Sequence, residues 1–136
     1  FYKKWKNNNL VVEKWFHMMS SLDIGTQGLN FIKSLLEHEA FDFKNPNKLR
    51  SVLNTFQREN ILLFHANDSS GYTFIAEQVA IIDKNNPQVA ARLILPLTRF
   101  KNYKVERKNK IKKILMSINK PFISNDLSEI IEKALI

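Results

Sequence analysis

The side chains best placed for binding chemistry are those of Gln88 and Arg92. They lie four residues apart in residues 86–93, Asn-Pro-Gln-Val-Ala-Ala-Arg-Leu, a stretch that predicts a helix of about two turns. Side chains at this spacing are neighbours on one helix face. Ala91 and Leu95 flank the pair, a low-charge setting more typical of a lined cavity than of bulk solvent. The pair is therefore the candidate ligand contact of this sequence, and an ordinary solvent-exposed face is the alternative that the residues alone leave open. Successive residues of an α-helix are rotated by about 100°. This rotation puts Val89, Ala90, Leu93 and Ile94 on the opposite, apolar face.

A second stretch, residues 45–50, begins in the same way and adds Arg50 as a third candidate. In both stretches the asparagine can accept hydrogen bonds from unpaired backbone N–H groups, and the following proline suits the first helical turn. The two asparagines, at positions 45 and 86, are 41 residues apart. That distance is close to the period of about 40–47 residues in armadillo and HEAT repeats. This repetition predicts stacked helix pairs, in which the inner helices line a concave surface.

Residue types and motifs needed for catalysis are sparse. No cysteine is present, which excludes disulfides, thiolate metal sites and cysteine nucleophiles. A zinc-protease helix needs a second histidine four residues after the first, whereas Asp42 occupies that position relative to His38. There is no Gly-x-Ser-x-Gly elbow and no glycine-rich phosphate loop. We therefore predict no catalytic residue and no metal site in this chain.

Apolar residues recur at helical spacing along the whole chain, and no segment alternates every second residue. The sequence predicts an all-α fold, a right-handed α-α superhelix of armadillo- or HEAT-like helix pairs. Pro96 is expected to end or kink the helix that begins at Asn86. The other predicted helices cover residues 10–22, 26–38, 72–82 and 105–119 or begin at Asn45 and Ser124, with one or two turns at 59–65. The first is expected to bury Val11, Trp15, Met18 and Leu22.

Length and composition favour one soluble domain. The 136 residues are 44% hydrophobic and 25% charged, and no apolar run approaches the ~20 residues that span a bilayer. The chain begins Phe-Tyr-Lys-Lys-Trp, without methionine or an apolar signal core. We expect residues 1–136 to be a single helical domain that is part of a longer chain.

The net charge of +8 includes one dense basic run between residues 99 and 113. Such a run can bind nucleic-acid phosphates, or it can be the solvated face of an amphipathic helix. The second interpretation is favoured because Ile111, Ile114 and Leu115 form a good core side and few aromatic residues accompany the cations. The cations are Arg99, Lys101, Lys104, Arg107, Lys108, Lys110, Lys112 and Lys113, opposed by Glu106 alone.

Several motifs together resemble one known family. They are Glu-Lys-Trp-Phe at 13–16, Asn-Pro-Asn-Lys-Leu-Arg at 45–50, Phe-His-Ala-Asn-Asp at 64–68, Gly-Tyr-Thr-Phe at 71–74, Asn-Pro-Gln-Val-Ala-Ala-Arg-Leu at 86–93 and Pro-Leu at 96–97. With these motifs, essentially the whole chain resembles the C-terminal helical domain of the bacterial aminopeptidase N family of zinc metallo-aminopeptidases. The sequence departs from the family at Ser69, where the family more often has glycine.

The resemblance implies that residues 1–136 are the C-terminal fragment of a larger multidomain enzyme. In that enzyme this helical domain would cover a catalytic domain and close its cavity. The reaction of the whole enzyme would be zinc-assisted removal of an N-terminal amino acid from a peptide, with the zinc ligands in an upstream domain of the same polypeptide. Gln88, Arg92 and Arg50 match residues that face the peptide-substrate channel. The resemblance also implies a cytoplasmic location, without nucleic-acid or membrane partners. The alternative is a free-standing basic helical-repeat module that binds nucleic acid or an acidic protein.

Overall fold

A computed structural model describes residues 6–21, 28–39, 41–42, 44–66, 68–119 and 123–135. All regular structure in these ranges is helical and none of their residues forms a strand, which confirms the predicted all-α fold. None of the helices in these ranges has the length and apolar character needed to cross a membrane. The chain divides into two compact units, residues 1–66 and residues 67–136. That residues 1–136 form a single domain stays a prediction.

The described part of the first unit is built on a helix that changes its winding in the middle. Helix α3 (Pro46–Leu49) leads without a break into a π-helical turn (Arg50–Asn54), called the π-turn below, and then into α4 (Thr55–Glu59). Helix α1 (Asn9–Ser21) packs against the π-turn and α4. The predicted apolar face of Leu49, Val52, Leu53 and Phe56 is buried. The elements are α1 (Asn9–Ser21), α2 (Gly28–Leu36), α3 (Pro46–Leu49), the π-turn (Arg50–Asn54), α4 (Thr55–Glu59) and α5 (Ile61–Phe64).

The buried face of α1 is not the predicted one. Val12 and Phe16 are buried, whereas Met18 is 62% exposed. Apolar residues occupy adjacent positions in this helix, so the 3.6-residue period fits two faces that differ by about 100°. The Phe16 ring packs edge-on against Phe41, with 5.7 Å between centroids, and this contact selects the face that contains Phe16. Leu22, also predicted to be buried, lies outside the described residues.

The second unit has its described helices arranged around α6 and α7. Helix α6 packs against α7 and α9, and α10 packs against α7 and α8. The predicted apolar residues of α6 and α7 are buried, among them Tyr72, Val79 and Leu93. Regular winding stops at Leu93 and resumes as α8, which contains Pro96, as the sequence predicts. The helices are α6 (Ser70–Asp83), α7 (Pro87–Leu93), α8 (Leu95–Thr98), α9 (Val105–Ile118) and α10 (Asn125–Leu135).

Both predicted asparagine caps are formed. The Asn45 side-chain oxygen accepts hydrogen bonds from the backbone N–H groups of Asn47 and Lys48, at 3.0 and 3.4 Å. The Asn86 side-chain oxygen accepts one from Val89 at 3.2 Å. Each cap satisfies donors that have no partner within the helix. The two Asn-Pro stretches are therefore alike in structure as well as in sequence.

A buried carboxylate connects the end of α6 to the start of α10. Asp83 is 4% exposed, and it accepts hydrogen bonds from the Ser124 backbone N–H at 2.6 Å and the Ser124 hydroxyl at 2.5 Å. The Ser124 oxygen in turn accepts a hydrogen bond from the Leu127 N–H at 3.2 Å, as a helix cap does. Ser124 thus caps α10, as predicted, and anchors this helix to α6.

Ser69 has a left-handed backbone, with φ 63° and ψ 15°, just before α6. No other non-glycine residue in the described ranges has positive φ. This conformation costs an L-residue about 1–2 kcal/mol, which explains why glycine suits the position. The adjacent Asp68 carboxylate accepts a hydrogen bond from the Ser70 N–H at 2.9 Å. Hydrogen bonding from the Ser70 side chain and backbone lowers the pKa of Asp68 below its ordinary value.

We predict that Ser69→Gly raises the free energy of unfolding by about 0.5–1 kcal/mol, because glycine adopts positive φ without steric cost and its greater chain entropy offsets only part of that gain. Ser70→Gly, one residue later and inside α6, should instead lower stability by about 0.5 kcal/mol. Urea unfolding measures both variants. A loss of stability in Ser69→Gly would contradict the prediction.

We further predict that Ser124→Ala lowers the free energy of unfolding by about 2–4 kcal/mol, because it removes a helix cap and a hydrogen bond to a buried carboxylate. The matched control is Ser117→Ala on α9, where the exposed hydroxyl donates to the Ile114 carbonyl oxygen within the same helix. This control should change stability by less than about 0.5 kcal/mol. Equal changes in the free energy of unfolding of the two variants would contradict the prediction, because the Asp83–Ser124 contact would then stabilise the fold no more than an exposed hydroxyl does.

Candidate functional site

Gln88 and Arg92 lie side by side on α7, and both are exposed. The apolar side of α7, with Val89, Ala90 and Leu93, is buried. The 3.6-residue period therefore places the polar pair on the outer face, as predicted. Neither side chain forms a hydrogen bond or ion pair with any residue in the described ranges. Both are available to a group from outside these ranges.

The pair lines an open groove of about 490 Å³ between α7 and α10. Helix α10 contributes two carboxylates, Asp126 and Glu129, and the cation Lys133. Lys133 lies 3.1 Å from Glu129, in a pair that is largely exposed and therefore contributes little to stability. The groove thus offers amide and guanidinium donors on one side and carboxylate acceptors on the other. Ala91 and Ile130 complete its lining.

Asp126 and Glu129 were not among the predicted site residues. Both lie on the polar side of α10, whose buried side contains Leu127 and Ile131. The sequence indicates that polar side but carries no signal that α10 packs against α7. The groove therefore combines one wall that is predictable from local spacing with one wall that depends on tertiary packing.

Arg50, the third predicted residue, begins the π-turn in the first unit and is exposed. It lines a cleft of about 260 Å³ together with His17, Asn54, Thr55, Arg58 and Glu59. The groove on α7 is lined by residues of the second unit. The structure therefore brings Gln88 and Arg92 together and describes Arg50 within a separate set of side chains.

The basic run lies mainly on α9, whose Ile111 and Leu115 are buried. The Arg107 guanidinium donates a hydrogen bond to the Tyr72 hydroxyl at 2.7 Å. Burial raises the pKa of Tyr72 above its ordinary value, and Arg107 acts in the opposite direction. Lys104, Arg107 and Lys110 line a cavity of about 340 Å³ together with Ser69 and Glu106. The helix is amphipathic, as predicted, and part of its polar side borders this cavity.

The residues closest to a zinc motif do not share a helix. Helix α2 ends at Leu36, so His38 and Asp42 both lie beyond it. The His38 ring packs 5.0 Å from the Trp15 ring, and the Asp42 carboxylate accepts a hydrogen bond from the Lys44 N–H. Within the described ranges, no three His, Cys, Asp or Glu side chains are grouped in a way that could hold a metal ion.

Comparison with known proteins gives a consistent result over the whole chain. Residues 1–136 match the family described as "Domain of unknown function (DUF3458_C) ARM repeats". The chain is 40% identical over 133 residues to aminopeptidase N of Escherichia coli (strain K12), covering 97% of this chain and 15% of that protein. It is 39% identical over 136 residues to aminopeptidase N of Haemophilus influenzae (strain ATCC 51907 / DSM 11121 / KW20 / Rd), covering 99% and 16%. It is 34% identical over 136 residues to aminopeptidase N of Caulobacter vibrioides (strain ATCC 19089 / CIP 103742 / CB 15), again covering 99% and 16%.

The chain thus spans 15–16% of the length of these relatives. The family description confirms the predicted armadillo-type helical repeats. The chain belongs to this family of ARM-repeat domains and is similar to the C-terminal part of bacterial aminopeptidase N.

Proposed function

We propose that this chain is the non-catalytic C-terminal domain of a zinc-dependent aminopeptidase, where it covers the catalytic cavity and lines the channel for the peptide substrate. The observation that carries the proposal is the exposed Gln88–Arg92 pair in an open groove, with no bonding to other described residues. Similarity to three aminopeptidase N proteins along nearly the whole chain supports the parent activity. Arg50 is the third proposed channel residue.

The chemistry of the pair suits peptide binding. A guanidinium group is a planar donor that binds carbonyl or carboxylate oxygens, and a glutamine amide both donates and accepts. Across the groove, Asp126 and Glu129 can accept hydrogen bonds from backbone N–H groups of a peptide. These residues can therefore hold a peptide by its backbone and limit how much of it fits, which is a positioning role.

The proposed zinc ion belongs to an upstream catalytic domain of the same polypeptide. The described residues of this chain offer no group of ligands that fits zinc, so no zinc-dependent step is assigned to them. The partners are that domain and the peptide substrate, and the proposed location is the cytoplasm, without a membrane partner.

We predict that Arg92→Ala in the full-length protein raises the KM for tri- and tetrapeptides about tenfold and changes kcat much less. The reason is that a hydrogen bond to a charged group contributes about 1.5 kcal/mol or more, and binding that is equal in ground and transition states appears in KM. Gln88→Ala should also raise this KM, but by a smaller factor. Steady-state kinetics over peptides of increasing length measures the effect.

The matched comparison is a single-residue amide substrate, which is too short to reach beyond the scissile bond and should be cleaved equally by all variants. Lys84→Ala provides a charge control, because Lys84 is exposed at the end of α6 and does not line the groove. A kinetic profile that is unchanged across peptide lengths in Arg92→Ala would exclude the channel role.

A second function rests on the cavity lined by Lys104, Arg107 and Lys110. In that case the chain would be a basic helical-repeat module that binds nucleic acid or an acidic protein. Binding of duplex DNA would then weaken with salt, with a log–log slope of about −0.9 per neutralised phosphate. We expect no such binding by the full-length protein at low salt, because Glu106 also borders this cavity and the Arg107 guanidinium is bonded to Tyr72.

A further inference from the structure

The cleft at the π-turn is lined mainly by charged and amide side chains. Its volume is about 260 Å³, several times the roughly 30 Å³ of a water molecule in the liquid. Arg50, Asn54 and Arg58 lie along one helical stretch at intervals of four residues. His17, Thr55 and Glu59 complete the lining. A small charged group fits a cleft of this size.

Two guanidinium groups in this cleft are not engaged by the described residues. Arg50 and Arg58 are both exposed, and neither forms an ion pair or a side-chain hydrogen bond within the described ranges. Each guanidinium carries five N–H donors in a plane that matches two acceptor oxygens. An anion in the cleft can therefore bind both without breaking an existing contact.

The Glu59 carboxylate in the cleft already has a partner, the His17 imidazole. The His17 Nε2 atom lies 2.9 Å from a Glu59 carboxylate oxygen, and the His17 Nδ1 atom lies 2.9 Å from the Thr55 hydroxyl oxygen. When the Thr55 hydroxyl donates to Nδ1, the imidazole proton resides on Nε2 and is donated to Glu59. The imidazole thus holds Glu59, and Thr55, which is 4% exposed, fixes the imidazole.

The π-turn improves the alignment of the cations. A π-helix closes hydrogen bonds between residues five apart and takes more residues per turn than the 3.6 of an α-helix. In a regular α-helix residues eight apart differ by about 80° around the axis. The wider π-turn reduces this angle, which brings Arg50 and Arg58 to the same cleft. Val52 and Leu53, on the other side of the turn, are buried and hold it in place.

We propose that this cleft binds a carboxylate group between Arg50 and Arg58, with the Asn54 amide as a further donor. With a neutral imidazole, the two guanidinium groups and Glu59 leave a formal charge of +1, which one carboxylate neutralises and a phosphate dianion exceeds. The carboxylate comes either from the C-terminus of a peptide or from an acidic side chain. The residues that line the cleft all belong to the first unit, and Arg92 is not among them.

Calorimetric titration of the full-length protein with blocked peptides tests the proposal. N-acetyl-Gly-Gly carries a free carboxylate, its C-terminal amide carries none, and N-acetyl-Asp-Gly-amide carries a side-chain carboxylate. We expect at least one carboxylate peptide to bind about tenfold or more tightly than the uncharged amide, because charge-assisted bonds to guanidinium are among the strong ones. The better of the two identifies the source of the carboxylate. Equal binding of all three peptides would overturn the proposal, as would tighter binding of inorganic phosphate.

Single-residue variants test whether the carboxylate binds in the cleft at the π-turn. Arg58→Gln should weaken the carboxylate peptide about tenfold and leave the amide unchanged, whereas Lys14→Gln removes an exposed charge of the same unit that does not line the cleft and should have no effect. Arg92→Ala should keep the preference for the carboxylate peptide over its amide, because Arg92 does not line this cleft. A loss of carboxylate binding confined to Arg92→Ala would assign the carboxylate to the α7 groove and overturn the proposal. An equal loss in Lys14→Gln would show that overall charge determines the binding, and this result would also overturn the proposal. The comparison of the peptides on the unaltered protein requires no variant to fold.

Discussion

The hydrogen bonds between Asp83 and Ser124 fix the start of α10, and the groove of the second unit depends on that helix. A buried carboxylate without hydrogen bonds is strongly destabilising, so these contacts fix where the last helix begins. Ser124 caps α10 with the same oxygen that donates to Asp83. Because α10 starts there, it packs against α7 and supplies the acidic wall opposite Arg92. The groove is thus a consequence of one contact between residues 41 positions apart in the chain.

The parts of the fold that follow from local chemistry were predictable. Asn45 and Asn86 cap their helices through residues two or three positions away, and the apolar positions of α6 and α7 occupy one side only. The face of α1 was not predictable, because adjacent apolar residues fit two orientations equally well and a ring contact between Phe16 and Phe41 selects one. The π-turn has no signature in the spacing of apolar residues.

The same distinction holds for the sites. Gln88 and Arg92 are neighbours through helical spacing alone, so the sequence identifies them as a pair. Asp126 and Glu129 face them only because α10 packs against α7. Arg58 was missed for a different reason: in a regular α-helix, residues eight apart differ by about 80° around the axis. It lines the same cleft as Arg50 across a turn that departs from regular α-helical winding.

The π-turn also constrains how this chain can change in length. A π-turn contains one residue more than the α-helical turn that it replaces. Deleting one residue between Leu49 and Thr55 would therefore restore regular winding and leave the later residues of the helix facing nearly as they do now. Phe56, which is fully buried, would stay in the core, and Arg58 would stay on the side of the cleft. A second deletion would find no extra residue to remove, and it would rotate the rest of the helix by about 100°. The chain can thus lose one residue at this point, whereas a surface loop tolerates larger changes in length.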